Sequence, residues 1–402
     1  MVVKIFKSLA NGKVAVPPSK SMAHRALICG ALSKQSRVLN LAQSEDIKAT
    51  LGCLKALGAQ AENTQNGLVI GGLDPFNVKE NASLYCCESG STLRFLLPLC
   101  MLSGKKITLT GSSRLFERPL SVYEEICKEQ GIDFYKNADS VTVCGRLHSG
   151  EYSVAGDISS QFISGLLFAL PLLDGDSTLL VTGKFESASY VDLTLSALNS
   201  FGIEIERKDN VFYIKGSQSY KCAEYAVEGD MSNAAFLDGF NLLGGKVKVT
   251  GLSQNSLQGD RVYKDMYKAL LKGEKSFDLS DCPDLAPVMF ALSAFCGGAD
   301  FTGTARLKIK ESDRAEAMRK ELLKIGIDSE IYENSVKIKK GTLLSPTQRL
   351  CGHNDHRIVM ALSLLLSKTG GEISGAEAVK KSFPDFFEKI KNLGIGMEMY
   401  DN

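Results

Sequence analysis

Polar and apolar positions along the chain fall into one pattern that recurs six times. Six short β-rich runs each end at a residue suited to a turn: Val38-Leu-Asn, Leu109-Thr-Gly, Val181-Thr-Gly, Val249-Thr-Gly, Phe301-Thr-Gly and Ile373-Ser-Gly. Their turn residues Asn40, Gly111, Gly183, Gly251, Gly303 and Gly375 stand 71, 72, 68, 52 and 72 positions apart. A polar loop and a stretch of helical periodicity follow, as at 121–130, 191–200 and 314–324. Each of these stops at a glycine (Gly131-Ile-Asp, Gly202-Ile-Glu, Gly326-Ile-Asp) and passes into an alternating strand such as Val211-Phe-Tyr-Ile or Ser335-Val-Lys-Ile. A helix with an apolar body precedes each β-run. The helix starts are Ser19-Lys-Ser-Met-Ala-His-Arg, Glu88-Ser-Gly-Ser-Thr-Leu-Arg, Asp157-Ile-Ser-Ser-Gln, Gly229-Asp-Met-Ser-Asn, Asp281-Cys-Pro-Asp-Leu-Ala and Asn354-Asp-His-Arg-Ile. Ser, Asp and Asn are the residues that satisfy orphan backbone N–H groups at such starts.

The pattern predicts a unit of helix, strand, loop, helix and strand, repeated six times in 402 residues. Three units suit one domain. We expect one domain over 19–227 and a second over 228–402 that also takes residues 1–18, with a hinge near 17–18 and 227–228. The strand read at 2–16 has no helix of its own and is expected to pair in the second domain. The short interval between Gly251 and Gly303 predicts a fourth unit that has lost a strand. A repeat scaffold without chemistry would show the same periodicity, so the content of the helix starts decides.

Composition narrows the function. An apolar fraction of 44% and a charged fraction of 23% exclude disorder, collagen and coiled coil for the chain as a whole. With 47 basic and 46 acidic side chains, the net charge of +1 argues against a partner as large as nucleic acid or an anionic membrane. The longest apolar runs, 95–102 and 358–366, are far too short to span a bilayer. Residues 1–7 read as a strand, not as a signal peptide. Eleven cysteines without a Cys-x-x-Cys pair predict buried reduced thiols in a cytosolic protein. No zinc spacing, Walker loop, dinucleotide fingerprint or nucleophile–His–acid set is present, so no metal or nucleotide cofactor is called for.

The cations that matter recur at equivalent places. A helix N-terminus presents free N–H groups and about half a positive charge, which suits an anion. Lys20 and Ser21 open the first helix, with Arg25 one turn on, where it can lean back toward the start. Arg94 and Arg357 stand at the second and sixth starts. The loops after the β-runs add Arg118, the dense Lys310-Glu311-Ser-Asp313-Arg314 segment, and Lys381. The third unit offers neutral groups instead: Ser159, Ser160 and Gln161, then Ser187 and Tyr190. Asp284 begins the fifth helix, where its plain role is an N-cap. Converging starts of this kind predict a site for small anions.

Four motifs carry a resemblance: Ser19-Lys-Ser-Met-Ala-His-Arg25, Leu257-Gln-Gly-Asp260, Lys310-Glu-Ser-Asp-Arg314 and Asn354-Asp-His-Arg357. Over essentially its whole length the sequence resembles the enolpyruvylshikimate-phosphate synthase (3-phosphoshikimate 1-carboxyvinyltransferase) family. The resemblance implies an α/β (α+β) fold: a two-domain inside-out α/β barrel of six βαβαββ-type repeats, three per domain, closing on its substrates. It implies transfer of the enolpyruvyl group of phosphoenolpyruvate to the 5-hydroxyl of shikimate 3-phosphate, with release of phosphate, in the shikimate route to aromatic amino acids. By family position Lys20, Ser21, Arg25, Ser159, Ser160, Gln161, Ser187, Asp284 and Lys310 hold shikimate 3-phosphate. Lys20, Gly90, Arg118, Gln161, Arg314, Arg357 and Lys381 hold phosphoenolpyruvate. Asp284 is the candidate base for the attacking hydroxyl and Glu311 the candidate proton donor to carbon, assisted by Lys20. No cofactor, nucleic acid or membrane partner is implied, and a cytoplasmic monomer is expected. The second helix departs from the common family run Asn-Ala-Gly-Thr with Pro after the Arg: here it reads Glu88-Ser-Gly-Ser-Thr-Leu-Arg94-Phe95, which puts phosphoenolpyruvate affinity and glyphosate sensitivity in question. Three other readings compete: the sister transferase acting on UDP-N-acetylglucosamine, a nucleic-acid end-processing protein on related repeats, and a non-catalytic anion-binding repeat protein. The sister enzyme carries a reactive cysteine where this chain has Arg118. Cys127, close by, reads as a structural residue of the following helix.

Overall fold

The structure, a computed structural model, describes residues 1–401. The chain forms two compact units, one from Pro18 to Glu228 and one from Met1–Pro17 together with the chain from Gly229 onward. It therefore passes between units twice, at 17/18 and at 228/229.

The unit from Pro18 to Glu228 holds three four-stranded sheets of one design. In the second, Ala82–Tyr85 runs parallel to Ile107–Thr110, which pairs antiparallel with Ser140–Cys144, and that strand with Asp133–Lys136. The helices Gly90–Cys100 and Ser121–Gln130 make the two crossovers, giving βαβαββ. The third sheet repeats this with Glu151–Ala155, Ser177–Thr182, Val211–Ile214 and Ile205–Lys208, around the helices Ser160–Ala169 and Ala188–Ser200. The first sheet (Ser36–Leu39, Gly67–Gly71, Gln60–Thr64) has the helices Lys20–Leu32 and Glu45–Leu57 but no opening strand of its own. Glu224–Ala226, at the far end of the unit, takes that place, parallel to Ser36–Leu39.

The other unit closes in the same manner with its N-terminal segment. Residues 2–16 are two strands rather than one. Asn11–Ala15 opens the fourth repeat, parallel to Lys246–Thr250, across the helix Met231–Leu242. Val2–Ile5 completes the sixth, between Gly371–Ser374 and Met397–Tyr400. Phe6 to Ala10 link the two strands, which lie in different sheets and which the apolar pattern alone did not separate. The fourth repeat lacks its whole closing hairpin, two strands where the interval suggested one: the helix Tyr263–Leu271 leads directly to Ser276–Asp278. That strand opens the fifth sheet with Ala299–Thr302, Ser335–Ile338 and Ser329–Ile331, around the helices Ala286–Phe295 and Arg314–Lys324. Leu350–Cys351 opens the sixth before the helix His356–Thr369.

Hydropathy explains why the helices lie inside and the sheets outside. A helix apolar on every face is stable only when surrounded. Ala286–Phe295 buries every residue but Phe295, and His356–Thr369 every residue but Lys368. The strands alternate instead, as in the buried–exposed pattern of Ala82–Tyr85 and Ala299–Thr302, which leaves one sheet face to water. In Ser160–Ala169 the one residue not buried is Gln161, and in Gly90–Cys100 it is Ser91. Both sit at the N-terminal turn.

Close helix packing depends on Gly165. A Cβ there would overlap the Tyr123 hydroxyl and the Arg94 carbonyl, which are themselves hydrogen-bonded at 2.6 Å. Gly165→Ala should therefore lower the unfolding free energy by about 1–3 kcal/mol through overpacking. Urea unfolding monitored by circular dichroism measures it; wild-type stability in this variant would refute the packing argument.

Candidate functional site

In the unit from Pro18 to Glu228, the polar groups gather at helix N-termini. Lys20, the first residue of its helix, pairs with Asp46 of the helix Glu45–Leu57 at 2.7 Å, both partners largely shielded from solvent. One turn deeper, His24 Nδ1 lies 2.7 Å from Thr50 Oγ1, and Thr50 Oγ1 lies 2.6 Å from Thr92 Oγ1. Thr92 donates to Ser89 Oγ, the cap of the Gly90 helix. Burial, with Lys20 and Arg25 nearby, holds His24 well below its ordinary pKa, so this buried chain runs through a neutral imidazole.

Arg25 leans back as its spacing requires. Its guanidinium donates to the Ser21 carbonyl (2.6 Å), the Tyr190 carbonyl (2.7 Å) and Thr194 Oγ1 (2.8 Å), and lies over the Phe95 ring. Burial pulls its pKa down to about 10, still charged at neutral pH. Arg94, also read as a recurrent anion contact, is 2% exposed, as buried as Arg25, and lies over Phe162. It donates to Gln161 Oε1 at 2.8 Å and to the Pro119 carbonyl at 2.9 Å, while Gln161 Nε2 donates to Ser91 Oγ at 3.0 Å. Arg94 thus orients Gln161. Ser159 caps the Ser160 helix by accepting from Gln161 N. Ser187 is buried with φ +57°, a left-handed backbone uncommon for a non-glycine residue.

At Gly90 a side chain would meet the far end of Arg118, which would have to move. A Cβ there would stand 2.7, 2.8 and 2.9 Å from Nη1, Cζ and Nη2 of Arg118. The guanidinium therefore lies directly against a helix N-terminus, two positive features on one spot.

The other unit holds a compact cluster of opposite charges. Arg314, 1% exposed, donates from Nη1 to Asp284 Oδ1 (2.8 Å), from Nη2 to Glu311 Oε2 (2.8 Å) and from Nε to Asp355 Oδ2 (2.9 Å). Arg357 donates to Asp284 Oδ2 (2.7 Å) and Ser232 Oγ (2.7 Å), and Lys310 Nζ is 3.5 Å from Asp284 Oδ1. Lys381 Nζ donates to the Asn354 carbonyl at 2.6 Å. Asp284 is not a helix cap: it lies in the short turn Pro283–Leu285 and turns its carboxylate to the cations. Burial opposes its ionisation, but Arg357, Lys310 and Arg314 outweigh burial and hold it well below the usual carboxylate range. For Lys310 burial wins over Asp284, pulling its pKa down to about 8.

Sequence reasoning missed Asp46, Asp355 and the His24–Thr50–Thr92–Ser89 chain. Asp355 carried a signal, as a helix-start Asp beside Arg357, and it does accept from Arg357 N at 2.9 Å; its second oxygen on Arg314 is a tertiary fact. Cys127 is buried in the helix Ser121–Gln130, donates to Met101 Sδ, and has its thiol pushed up to about 12 by burial. A thiol in that setting is not a nucleophile. Among the described residues no helix is long and apolar enough to cross a membrane.

A sequence model described as EPSP synthase (3-phosphoshikimate 1-carboxyvinyltransferase) matches residues 6–390. A 3-phosphoshikimate 1-carboxyvinyltransferase of Clostridium kluyveri is 43% identical, over 98% of this chain and 97% of that one. One of Clostridium acetobutylicum is 39% identical, over 98% and 97%. Of solved structures, an EPSP synthase from Acinetobacter baumannii matches with a TM-score of 0.79 at 24% identity over 100% of both chains. The enolpyruvyl transferase NikO from Streptomyces tendae matches at 0.76 and 15%, over 99% and 98%. At these identities the structural matches speak for the fold, the two-domain inside-out α/β barrel. The sequence matches speak for the family: this chain belongs to the EPSP synthases (3-phosphoshikimate 1-carboxyvinyltransferases).

Proposed function

We propose that the protein transfers the enolpyruvyl group of phosphoenolpyruvate to the 5-hydroxyl of shikimate 3-phosphate, releasing phosphate. The observation that carries this reading is the family match along residues 6–390. The chemistry of the clusters agrees with it. Both substrates are small polyanions that repel each other, and preorganised cations and helix N-termini offset that repulsion. On this reading Lys20, Ser21, Arg25, Ser159, Ser160, Gln161, Ser187, Asp284 and Lys310 hold shikimate 3-phosphate. Lys20, Gly90, Arg118, Gln161, Arg314, Arg357 and Lys381 hold phosphoenolpyruvate. The enzyme acts in the cytoplasm as a monomer, without nucleic acid or membrane.

The reaction proceeds by addition and elimination. A proton reaches the methylene carbon of phosphoenolpyruvate, the 5-hydroxyl oxygen attacks the adjacent carbon as it loses its proton, and a tetrahedral intermediate forms. Loss of a methyl proton then expels phosphate and restores the double bond. Glu311 is the assigned proton donor to carbon, with Lys20 assisting, and Asp284 the assigned base. Ringed by Arg357, Lys310 and Arg314, Asp284 is a weak base. An anion bound to Arg314 and Arg357 would share their charge, leaving burial to raise the basicity of Asp284. Phosphoenolpyruvate would thus activate the base that its own reaction needs.

Phosphate release tests the assignment. Purified protein should liberate phosphate from phosphoenolpyruvate with shikimate 3-phosphate and not with UDP-N-acetylglucosamine; the reverse result, or none with either, refutes it. Asp284→Asn keeps the shape of the side chain and should bind both substrates while losing turnover by roughly 100-fold or more. Near-normal turnover would remove Asp284 from the mechanism. The lowered pKa of Lys310 gives a pH prediction. Below about 8 its ammonium is charged and attracts the substrate's phosphate. Above that value the charge is lost, and shikimate 3-phosphate affinity should fall by up to roughly tenfold per pH unit. Calorimetric titration across pH 8 measures this, and Lys310→Arg should abolish the limb.

A further inference from the structure

Glu321 has no role in the chemistry above, yet it is a carboxylate 1% exposed. It lies on the helix Arg314–Lys324, two turns beyond Arg314. Burying a carboxylate is costly unless it is fully paired. Lys324 Nζ reaches both oxygens, at 3.0 and 2.8 Å, which answers the charge. The remaining bonds go elsewhere: the Cys351 backbone N–H donates to Oε2 at 2.9 Å, and the His353 ring Nε2 lies 2.8 Å from Oε1. An ionised carboxylate only accepts, so Nε2 is the nitrogen that carries the proton. Burial pushes Glu321 up, but the bonds from His353, Lys324 and the Cys351 N–H together hold it below the usual range.

The segment held this way is unusual. His353 and Asn354 are consecutive non-glycine residues in left-handed backbone, φ +48° and +52°. Such a turn persists only where its surroundings over-determine it. Asn354 and the residue after it carry the cation cluster: the Asn354 carbonyl takes Lys381 Nζ, and Asp355 takes Arg314 Nε on one oxygen and Arg357 N on the other. The helix and the turn are therefore joined at two points, Arg314 to Asp355 at one and Glu321 to Cys351 and His353 at the other.

We propose that Glu321 is a positioning residue for phosphoenolpyruvate: by clamping the turn 351–355 to the helix Arg314–Lys324, it sets the mutual spacing of Arg314, Arg357 and Lys381. The proposal rests on the reading above that these three cations hold that substrate. Glu321 touches no reacting atom and acts through the turn. A purely structural role would lower stability and leave the kinetic constants of the folded enzyme unchanged. A positioning role changes one substrate's constant and not the other's.

The test is initial-rate phosphate release, each substrate varied in turn, with thermal melting as the measure of folding. Glu321→Ala should raise the phosphoenolpyruvate KM roughly tenfold or more, as small misplacements of binding groups do. The shikimate 3-phosphate KM should stay within about twofold. Glu321→Gln keeps an oxygen for the Cys351 N–H, and its amide can donate to the ring nitrogen once the ring proton moves to Nδ1, so it should recover most of the loss. His353→Asn, which retains a residue tolerant of left-handed backbone, should raise the phosphoenolpyruvate KM alone, by less than the alanine variant. Glu316→Gln, on the same helix and paired with Arg319, is the control and should match the wild type. An unchanged phosphoenolpyruvate KM in folded Glu321 variants, or equal rises for both substrates, would overturn the proposal. If Glu321→Ala fails to fold, Glu321→Gln and His353→Asn decide by the same readout. Wild-type protein that releases no phosphate would overturn the functional reading instead, whereas active wild type with unaffected variants overturns only the role of Glu321.

Discussion

Helices without a polar face leave a chain little freedom. Because Ser160–Ala169, Ala286–Phe295 and His356–Thr369 are apolar almost all round, they must be surrounded, and the half-wet sheets are the elements able to surround them. A core helix still has unsatisfied N–H groups at its first turn, so polar chemistry is confined to the helix ends. The places where Lys20, Gly90, Gln161 and Arg357 stand follow from that confinement. The near-neutral charge of the whole chain fits the proposed small-anion substrates, which call for no wide basic surface.

Buried cations need partners, and the second unit supplies them with three carboxylates around Arg314. Desolvating such charges costs several kcal/mol each, and Coulombic attraction offsets this only when the geometry is good. A network of this kind is a weak argument for stability. It is a stronger argument for function, because it holds guanidinium groups in one geometry and makes the basicity of Asp284 depend on what else its cations bind. Arg94 is the contrasting case in the other unit: a buried guanidinium spent on orienting Gln161.

Circular closure is the second organising device. Glu224–Ala226 opens the first repeat of its unit, while Asn11–Ala15 opens the fourth and Val2–Ile5 completes the sixth. Strands contributed from distant sequence tie the start of each unit to its end, and the two N-terminal ones make the chain pass between the units twice. Asp355 and Glu321 show the same logic at the scale of side chains, each fastening a local turn to an element that folds from another part of the chain.

The six repeats, the polar helix starts and the charged residues there were legible in the sequence because they depend on local periodicity and on the chemistry of residues three or four apart, although Ser19 and Asp284 do not cap their helices through their side chains. The family resemblance rested on contiguous motifs and was legible for the same reason. What depended on tertiary structure was everything set by distance through space. The division of residues 2–16 between two sheets needed partners 235 residues away for Asn11–Ala15 and more than 360 away for Val2–Ile5. The missing hairpin of the fourth repeat left only a short interval in the sequence, which does not say how many strands are gone. Arg25 and Arg94 each stand four residues after a small residue at a helix start, and the Ser21 carbonyl is within reach of Arg25 along its own helix; only the packing of the neighbouring helices brings Gln161 to Arg94 and the Tyr190 carbonyl to Arg25. Periodicity determines which residues face the core and which begin a helix. The partner that a buried charge must have is chosen by the fold, because Coulomb and hydrogen-bond energies depend on separation in space and not on separation along the chain.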